Sequence, residues 1–273
     1  MLFRSNTQAT GLYSHAEGDN TQATGQGSHA EGWYTQATEA YAHAEGEYTR
    51  AMGQGSHAEG YYTLTLGWLS HAEGQYTQAT GLYSHAEGNR TTASGDNSHA
   101  EGSTTLASGN TSHAEGSYTV ASGAGSHAEG QYTIASEYAS HAEGEGTTAS
   151  GHGSHAEGQG TIASGSYSHA EGSMTSASAD YSHAEGYGTL TLGNYQHAQG
   201  IFNAPSSTAG AFILGNGTNN ANRSNLIYAA GNTVQITGSL LVSGSGITVS
   251  GSLRTDSTAS AALFVGTIDG GTF

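Results

Sequence analysis

Ser14, His15 and Glu17 are the residue types of a hydrolytic triad, a nucleophile with a base and an acid to orient it. The trio sits in Ser14-His15-Ala16-Glu17-Gly18, which returns every 14 residues, through Ser28–Gly32 and Ala42–Gly46, to Gln196–Gly200. That makes 14 copies in unbroken register. An enzyme needs one site, not a ladder. If the segment is a strand, alternation also sends Ser to the face opposite His and Glu. The motif therefore reads against catalysis and in favour of a repeated structural surface. A column of imidazoles could hold a metal ion, but every repeat His except His197 has a Glu two residues on, and the expectation is His–Glu pairing with no metal and no cofactor. Calcium is disfavoured because the Gly/Asp nonapeptide of calcium-binding β-rolls is absent.

A second phrase runs between the copies, first complete at Thr7-Gln8-Ala9-Thr10-Gly11 and last at Thr189–Gly193. One unit therefore has two similar halves of seven residues. Helix is excluded although Ser14…Glu17 has the spacing of a capping box and seven is a coiled-coil period. Gly18 and its equivalents are Gly in every copy, and the second-half glycine is replaced only by Glu39, Glu137 and Ala179. Glycine every seventh residue costs a helix roughly 1 kcal/mol each time.

A strand reading fits both halves. Ser14, Ala16 and Gly18 share one face and His15 and Glu17 the other. Thr21, Ala23 and Gly25 share a face opposite Gln22 and Thr24. Each half is expected as a strand of about five residues, Ser14–Gly18 and Thr21–Gly25, followed by a two-residue turn entered by a glycine that tolerates positive φ. Two strands and two turns make one coil. The fold expected is all-β, a parallel β-solenoid of 14 residues per coil with a rise of about 4.8 Å. Ala16, Thr21, Ala23, Ala100 and Ala107 mark the coil interior, with the threonine hydroxyls expected to satisfy backbone groups there. So narrow an interior buries little, about 0.8 kcal/mol per methyl, and the missing burial is expected from association of identical chains.

The pattern S-x-A-x-G-x-x-[ST]-x-A-x-G-x-x over residues 5–200 resembles the YadA-like head repeats of trimeric autotransporter adhesins, which have relatives in phage tail fibres. The resemblance implies a left-handed β-roll, three of which pack about a threefold axis. The chain departs from the family in carrying His and Glu where S-V-A-I-G has apolar residues. His15/Glu17, His29/Glu31, His57/Glu59, His99/Glu101, His127/Glu129, His155/Glu157 and His183/Glu185 are the expected axis-lining positions, paired between chains. Glu beside His favours imidazolium and raises the His pKa wherever burial does not outweigh the pairing. Greatest stability is then expected from mildly acidic to neutral pH.

Composition limits partners. The chain of 273 residues has 43 Gly, no Cys, one Pro and no Lys, and a formal charge of −17 with His neutral. Protonating all 15 His would bring that charge close to zero. The acidic balance argues against nucleic acid and anionic membranes. No apolar run is long enough to span a membrane, and Met1-Leu2-Phe3-Arg4 does not read as a signal peptide.

Of 16 Tyr, 15 fall in the two-residue turn slots. Tyr34, Tyr48, Tyr62 and Tyr76, like Tyr118 and Tyr132, occupy one equivalent slot and can stack. They are read either as packing between coils or as a rim for a carbohydrate or protein receptor. Outward positions of the second half vary, from Gln8, Gln22, Gln36 and Gln78 to Leu106, Val120, Ile134 and Ile162.

Residues 1–13 form a lead-in with a half repeat, 14–200 the roll, and 201–273 a β-rich trimeric foot or shaft module without the period. The function expected is a non-enzymatic homotrimeric fibre for attachment to a surface receptor. It is most like a phage tail fibre, given the start of the chain and the Gly-Ser-Leu-Leu-Val-Ser-Gly rhythm near its end. The alternatives are the head of a bacterial trimeric autotransporter adhesin and an ice-binding solenoid. The location expected is extracellular, on a virion tail or a bacterial cell surface.

Overall fold

A computed structural model describes residues 6–238. Each 14-residue unit forms one coil with one long and one short strand. The long strands run from His15–Asp19 and His29–Trp33 to His197–Ile201, and pair in parallel with a register of 14, His71 with His85 and Ala72 with Ala86. The short strands, such as Gln22–Ala23 and Leu106–Ala107, form a second parallel sheet of 14 strands, Gln8–Ala9 to Leu190–Thr191. Every copy of one side chain therefore lies above its equivalent.

The strand lengths differ from those expected. The long strand begins at His rather than Ser, and the short strand has two residues rather than five. The reason lies at the corners. Ser28 Oγ donates to Gly25 O at 2.8 Å and Ser28 N–H to the same carbonyl, so Gly25–Ser28 closes a tight turn that consumes both strand ends. The left-handed residue is the second of each turn pair, with φ near +56° at Tyr34, Tyr48 and Arg90. The glycine entering the other corner, Gly32 and its equivalents, also has positive φ, but the second-half glycine does not. That column is small for a different reason. A Cβ on Gly95 would lie 2.0 Å from Gly109 O in the next coil, so successive backbones there leave little room for a side chain.

Thr21, Ala23, Ala100 and Ala107 are fully buried, and Ala16, in the first complete coil, is partly buried. Alanines of both strands form a continuous file from Ala72 to Ala184. The expected hydrogen-bonding role of threonine fails in most coils. Thr189 Oγ1 donates to Glu185 O at 3.1 Å, whereas the hydroxyls of Thr21, Thr35, Thr49 and their equivalents to Thr175 have no partner. Their γ-methyl groups supply volume that alanine lacks, and the fixed coil backbone holds the hydroxyls out of bonding geometry. Thr65 and Thr191, which replace short-strand alanines, are satisfied by Ser56 Oγ at 2.9 Å and Ser182 Oγ at 2.8 Å.

The long-strand sheet continues beyond Gly200. Phe212–Asn216 pairs in parallel with His197–Ile201 at a register of 15, and Asn225–Ala230 and Thr233–Ile236 follow as antiparallel strands. Ile213 takes the alanine position above Ala198 and is fully buried. The apolar runs of this region at Ala211–Leu214, Leu226–Tyr228 and Val234–Ile236 fall in or beside these strands. Those at Leu240–Val242, Ile247–Val249 and Leu263–Val265 lie outside the described residues.

Candidate functional site

Strand alternation places His and Glu of every long strand on its outer face, and the in-register ladder converts them into two parallel files. The imidazoles stack. His57 and His71 have centroids 4.8 Å apart, as do His99 and His113, whose planes differ by 2°. Each Nε2 points at the carboxylate file. From His15 to His85 the near partner is the Glu of the same strand, His29 with Glu31 at 3.3 Å and His57 with Glu59 at 3.7 Å. From His113 onward, His141 apart, it is the Glu of the preceding coil. His113 lies 3.9 Å from Glu101, His169 3.4 Å from Glu157, and His197 3.6 Å from Glu185. His127 faces two, Glu115 at 3.5 Å and Glu129 at 3.8 Å. The change of partner falls at His99, whose plane is turned 23° from that of His85.

Only two contacts have hydrogen-bond geometry, His155 to Glu143 and His183 to Glu171, both 3.1 Å. The Nε2 atoms of eleven other His in the file, from His29 to His197, are buried without a hydrogen-bond partner. A shallow groove lies along the Glu and Gly files from Glu73 to Gly144.

The electrostatics correct the expected sign. Burial, followed by the charge of the neighbouring imidazoles, holds His57, His71, His113, His141 and His169 below their ordinary pKa; the carboxylates oppose this but do not prevail. The stack adds to the burial, because protonating one ring brings a charge within 5 Å of the next. Carboxylates one strand spacing apart cannot all ionise freely either. Desolvation, and then Glu45 and Glu73, push Glu59 up to about 7. Glu129 lies below its ordinary value, held there first by hydrogen bonds with Glu115 and Glu143. A protonated carboxyl in such a row donates to an ionised neighbour and drives the two in opposite directions.

The triad is not assembled. Ser28, Ser84 and Ser98 are buried inside the coil and donate to turn carbonyls at 2.6–2.8 Å, on the far side of the strand from His and Glu. The threonine files are buried too, so they present no hydroxyl array to water.

The tyrosines stack as their spacing predicts. Tyr34–Tyr48, Tyr48–Tyr62 and Tyr62–Tyr76 have centroids 5.2, 4.5 and 5.3 Å apart, and Tyr118–Tyr132 5.0 Å. Arg90 continues the first file over Tyr76, at 5.9 Å. Trp33 and Tyr61 pack edge-on against it. A second file on the other corner was not singled out from sequence. Tyr138 stacks on His152, and Tyr167, Tyr181 and Tyr195 follow at 5.3 and 5.1 Å. Its signal was the same 14-residue spacing, masked by His152 and Gly153 within the run. Ring faces in both files are occupied by neighbouring rings, so mainly edges and hydroxyls meet solvent.

Residues 86–112, 100–126, 114–136 and 142–168 match the YadA head domain repeat (2 copies). No curated protein matches the chain.

Proposed function

We propose that this chain, whose coils at 86–136 and 142–168 match the YadA head domain repeat, is the rod of a non-enzymatic, trimeric adhesin-type fibre displayed on a bacterial cell surface. The observation that carries the reading is the uninterrupted register of 14 residues in both sheets, which makes a rigid spacer with one chemistry along each edge. The family match favours the adhesin head over the tail fibre, and the tail-like Gly-Ser-Leu-Leu-Val-Ser-Gly segment lies largely outside the described residues.

Trimerisation is supported by the shortage of internal burial. Among residues of the repeat, the buried side chains are mainly alanine, serine and threonine, and burying a methyl gains about 0.8 kcal/mol. Three rolls set with their His/Glu faces toward a common axis would bury the half-exposed imidazoles and carboxylates further and allow pairing between chains. The tyrosine files would then lie at the corners, where a protein or glycan receptor can meet their edges.

Sedimentation of the chain at micromolar concentration, with cysteine pairs placed at Glu101 or at Leu106 for crosslinking, tests this arrangement. Three chains per particle and crosslinks at 101 support it. Crosslinks at 106 alone would put the short-strand face on the axis, and a stable folded monomer would overturn the trimer. Binding of the particle to host cells or matrix, lost when Tyr48 and Tyr62 become Ala, tests the receptor role.

A further inference from the structure

The His and Glu files bring ligand atoms of consecutive coils together. A ring nitrogen of His141, a carboxylate oxygen of Glu143 and a ring nitrogen of His155 all lie within 4.8 Å of one another, and His169, Glu171 and His183 repeat the arrangement two coils further on. Equivalent trios, such as Glu45, His57 and Glu59, occur lower in the rod. We propose that these trios bind divalent transition-metal ions of the zinc class, several per chain, each held between consecutive coils of one chain.

Three observations lead there. The first is spacing. Zinc–nitrogen and zinc–oxygen bonds of about 2.0–2.2 Å in a tetrahedron set neighbouring ligand atoms roughly 3.3–3.5 Å apart. The Nε2–Oε separations of 3.1 Å at Glu143/His155 and Glu171/His183, and 3.4 Å at Glu157/His169, already bracket that edge. The second imidazole, whose ring centroid is 4.7 Å from the first, would have to turn toward the ion to complete the trio. The second is unmet bonding. Eleven buried Nε2 atoms in the file have no hydrogen-bond partner, and leaving such an atom unpaired is costly. A metal ion uses its lone pair directly. The third is charge. The carboxylates stand in one file at strand spacing, in a chain of net charge −17, and a dication between coils offsets their mutual repulsion.

The donor set selects the ion. Imidazole with carboxylate suits zinc, nickel and copper, whereas magnesium and calcium prefer all-oxygen sites. The faces are partly open, so water can complete the coordination. The sequence favoured His–Glu pairing over metal because a Glu accompanies the His in every repeat but the last. The structure changes the balance, since most of those pairs are too long or misaligned to be hydrogen bonds.

The test uses the full chain, without a polyhistidine tag, stripped of metal and titrated calorimetrically with zinc chloride in slightly alkaline buffer. The expected result is saturable uptake of more than one zinc per chain at micromolar concentration, a higher melting temperature, and no comparable uptake of magnesium. His155→Gln with His183→Gln should lower the stoichiometry, and His152→Gln, outside the file, should leave it unchanged. Should the double His variant not fold, Glu143→Gln with Glu171→Gln makes the same test with near-isosteric side chains. Absence of saturable zinc uptake at millimolar concentration, or equal stoichiometry in a folded ligand variant, overturns the inference. Sedimentation of the metal-free chain keeps the outcomes separate: a metal-free trimer without zinc uptake removes this inference and leaves the fibre reading standing.

Discussion

Asn203 and Leu190 are joined by a two-point amide pair: Asn203 Nδ2 donates to Leu190 O at 2.9 Å, and Asn203 Oδ1 accepts from Leu190 N–H at 2.8 Å. In earlier coils those backbone groups meet the short strand of the next turn, and among the described residues no further short strand follows Thr191. The buried Asn203 side chain takes its place. Gln196, in the position of the repeat serine, completes the closure by accepting from Leu192 N–H at 2.9 Å and donating to Ser206 O at 3.1 Å. An open parallel edge is a template for further strands, and these two amides cover it.

Asn203→Leu should therefore destabilise the C-terminal end of the roll by about 1–3 kcal/mol, the cost of leaving buried backbone groups unpaired. Hydrogen exchange should accelerate at Leu190 and Leu192 before it does at mid-rod. Equal protection in variant and parent would show that the amide pair does not close the edge.

Mid-rod packing makes a second prediction. Ala100 is fully buried between Ala86 and Ala114. Ala100→Leu should cost at least the ~1–3 kcal/mol usual for overpacking. Gly102→Ala should be worse although smaller, because its Cβ would lie 2.2 Å from Gly116 O at a φ of +104°. Thermal melts that rank Gly102→Ala as the milder change would contradict the close backbone approach.

The corners make a third. Thr104 is β-branched and has φ +59°, in the left-handed region, a conformation that costs an L-residue roughly 1–2 kcal/mol. Thr104→Gly should stabilise the coil by about 1 kcal/mol, part of the relief being offset by chain entropy. Gly146→Val is the reverse test. Its φ is +66° and open space surrounds the would-be Cβ, so any loss measures backbone strain without a clash. A melting temperature unmoved by both would place the left-handed residue elsewhere in the turn.

The pH dependence of the metal-free chain makes a fourth. His57, His71, His113, His141 and His169 have lowered pKa values, so the unfolded chain binds their protons more tightly. Their contribution is full above the unfolded value of about 6.5 and is lost as pH falls through the folded values. Glu59, raised to about 7, acts oppositely: its contribution is present below the unfolded carboxylate range and is lost as pH rises through 7. Stability should peak near neutrality and fall more steeply on the acid side. Replacing these five His by Gln should flatten the acid limb in equilibrium melts. An acid limb that survives the replacement would assign it to carboxylates alone, as at Glu129, whose lowered pKa also favours higher pH.

The 14-residue period by itself determined the solenoid, its register and its interior. Alternation about Ala16 and Ala23 can bury only the small residues, and a slip of one residue would turn His and Glu into a space sized for a methyl. The same spacing placed Tyr48 above Tyr34. Tertiary structure decided what depends on distances between coils. Turn closure by Ser28 on Gly25 shortened the second strand, and the left-handed conformation fell on Tyr34 and its equivalents as well as on the first-half glycine. Burial of His57 in the file, followed by the charges of His43 and His71 stacked on it, outweighed the pairing with Glu and lowered its pKa, because a residue two positions away in sequence is easily read while one 14 positions away is felt only when the coils close. The change of carboxylate partner at His99, and the closure of the last coil by Asn203 and Gln196, arise likewise from how one coil sits on the next, a geometry that no single repeat contains.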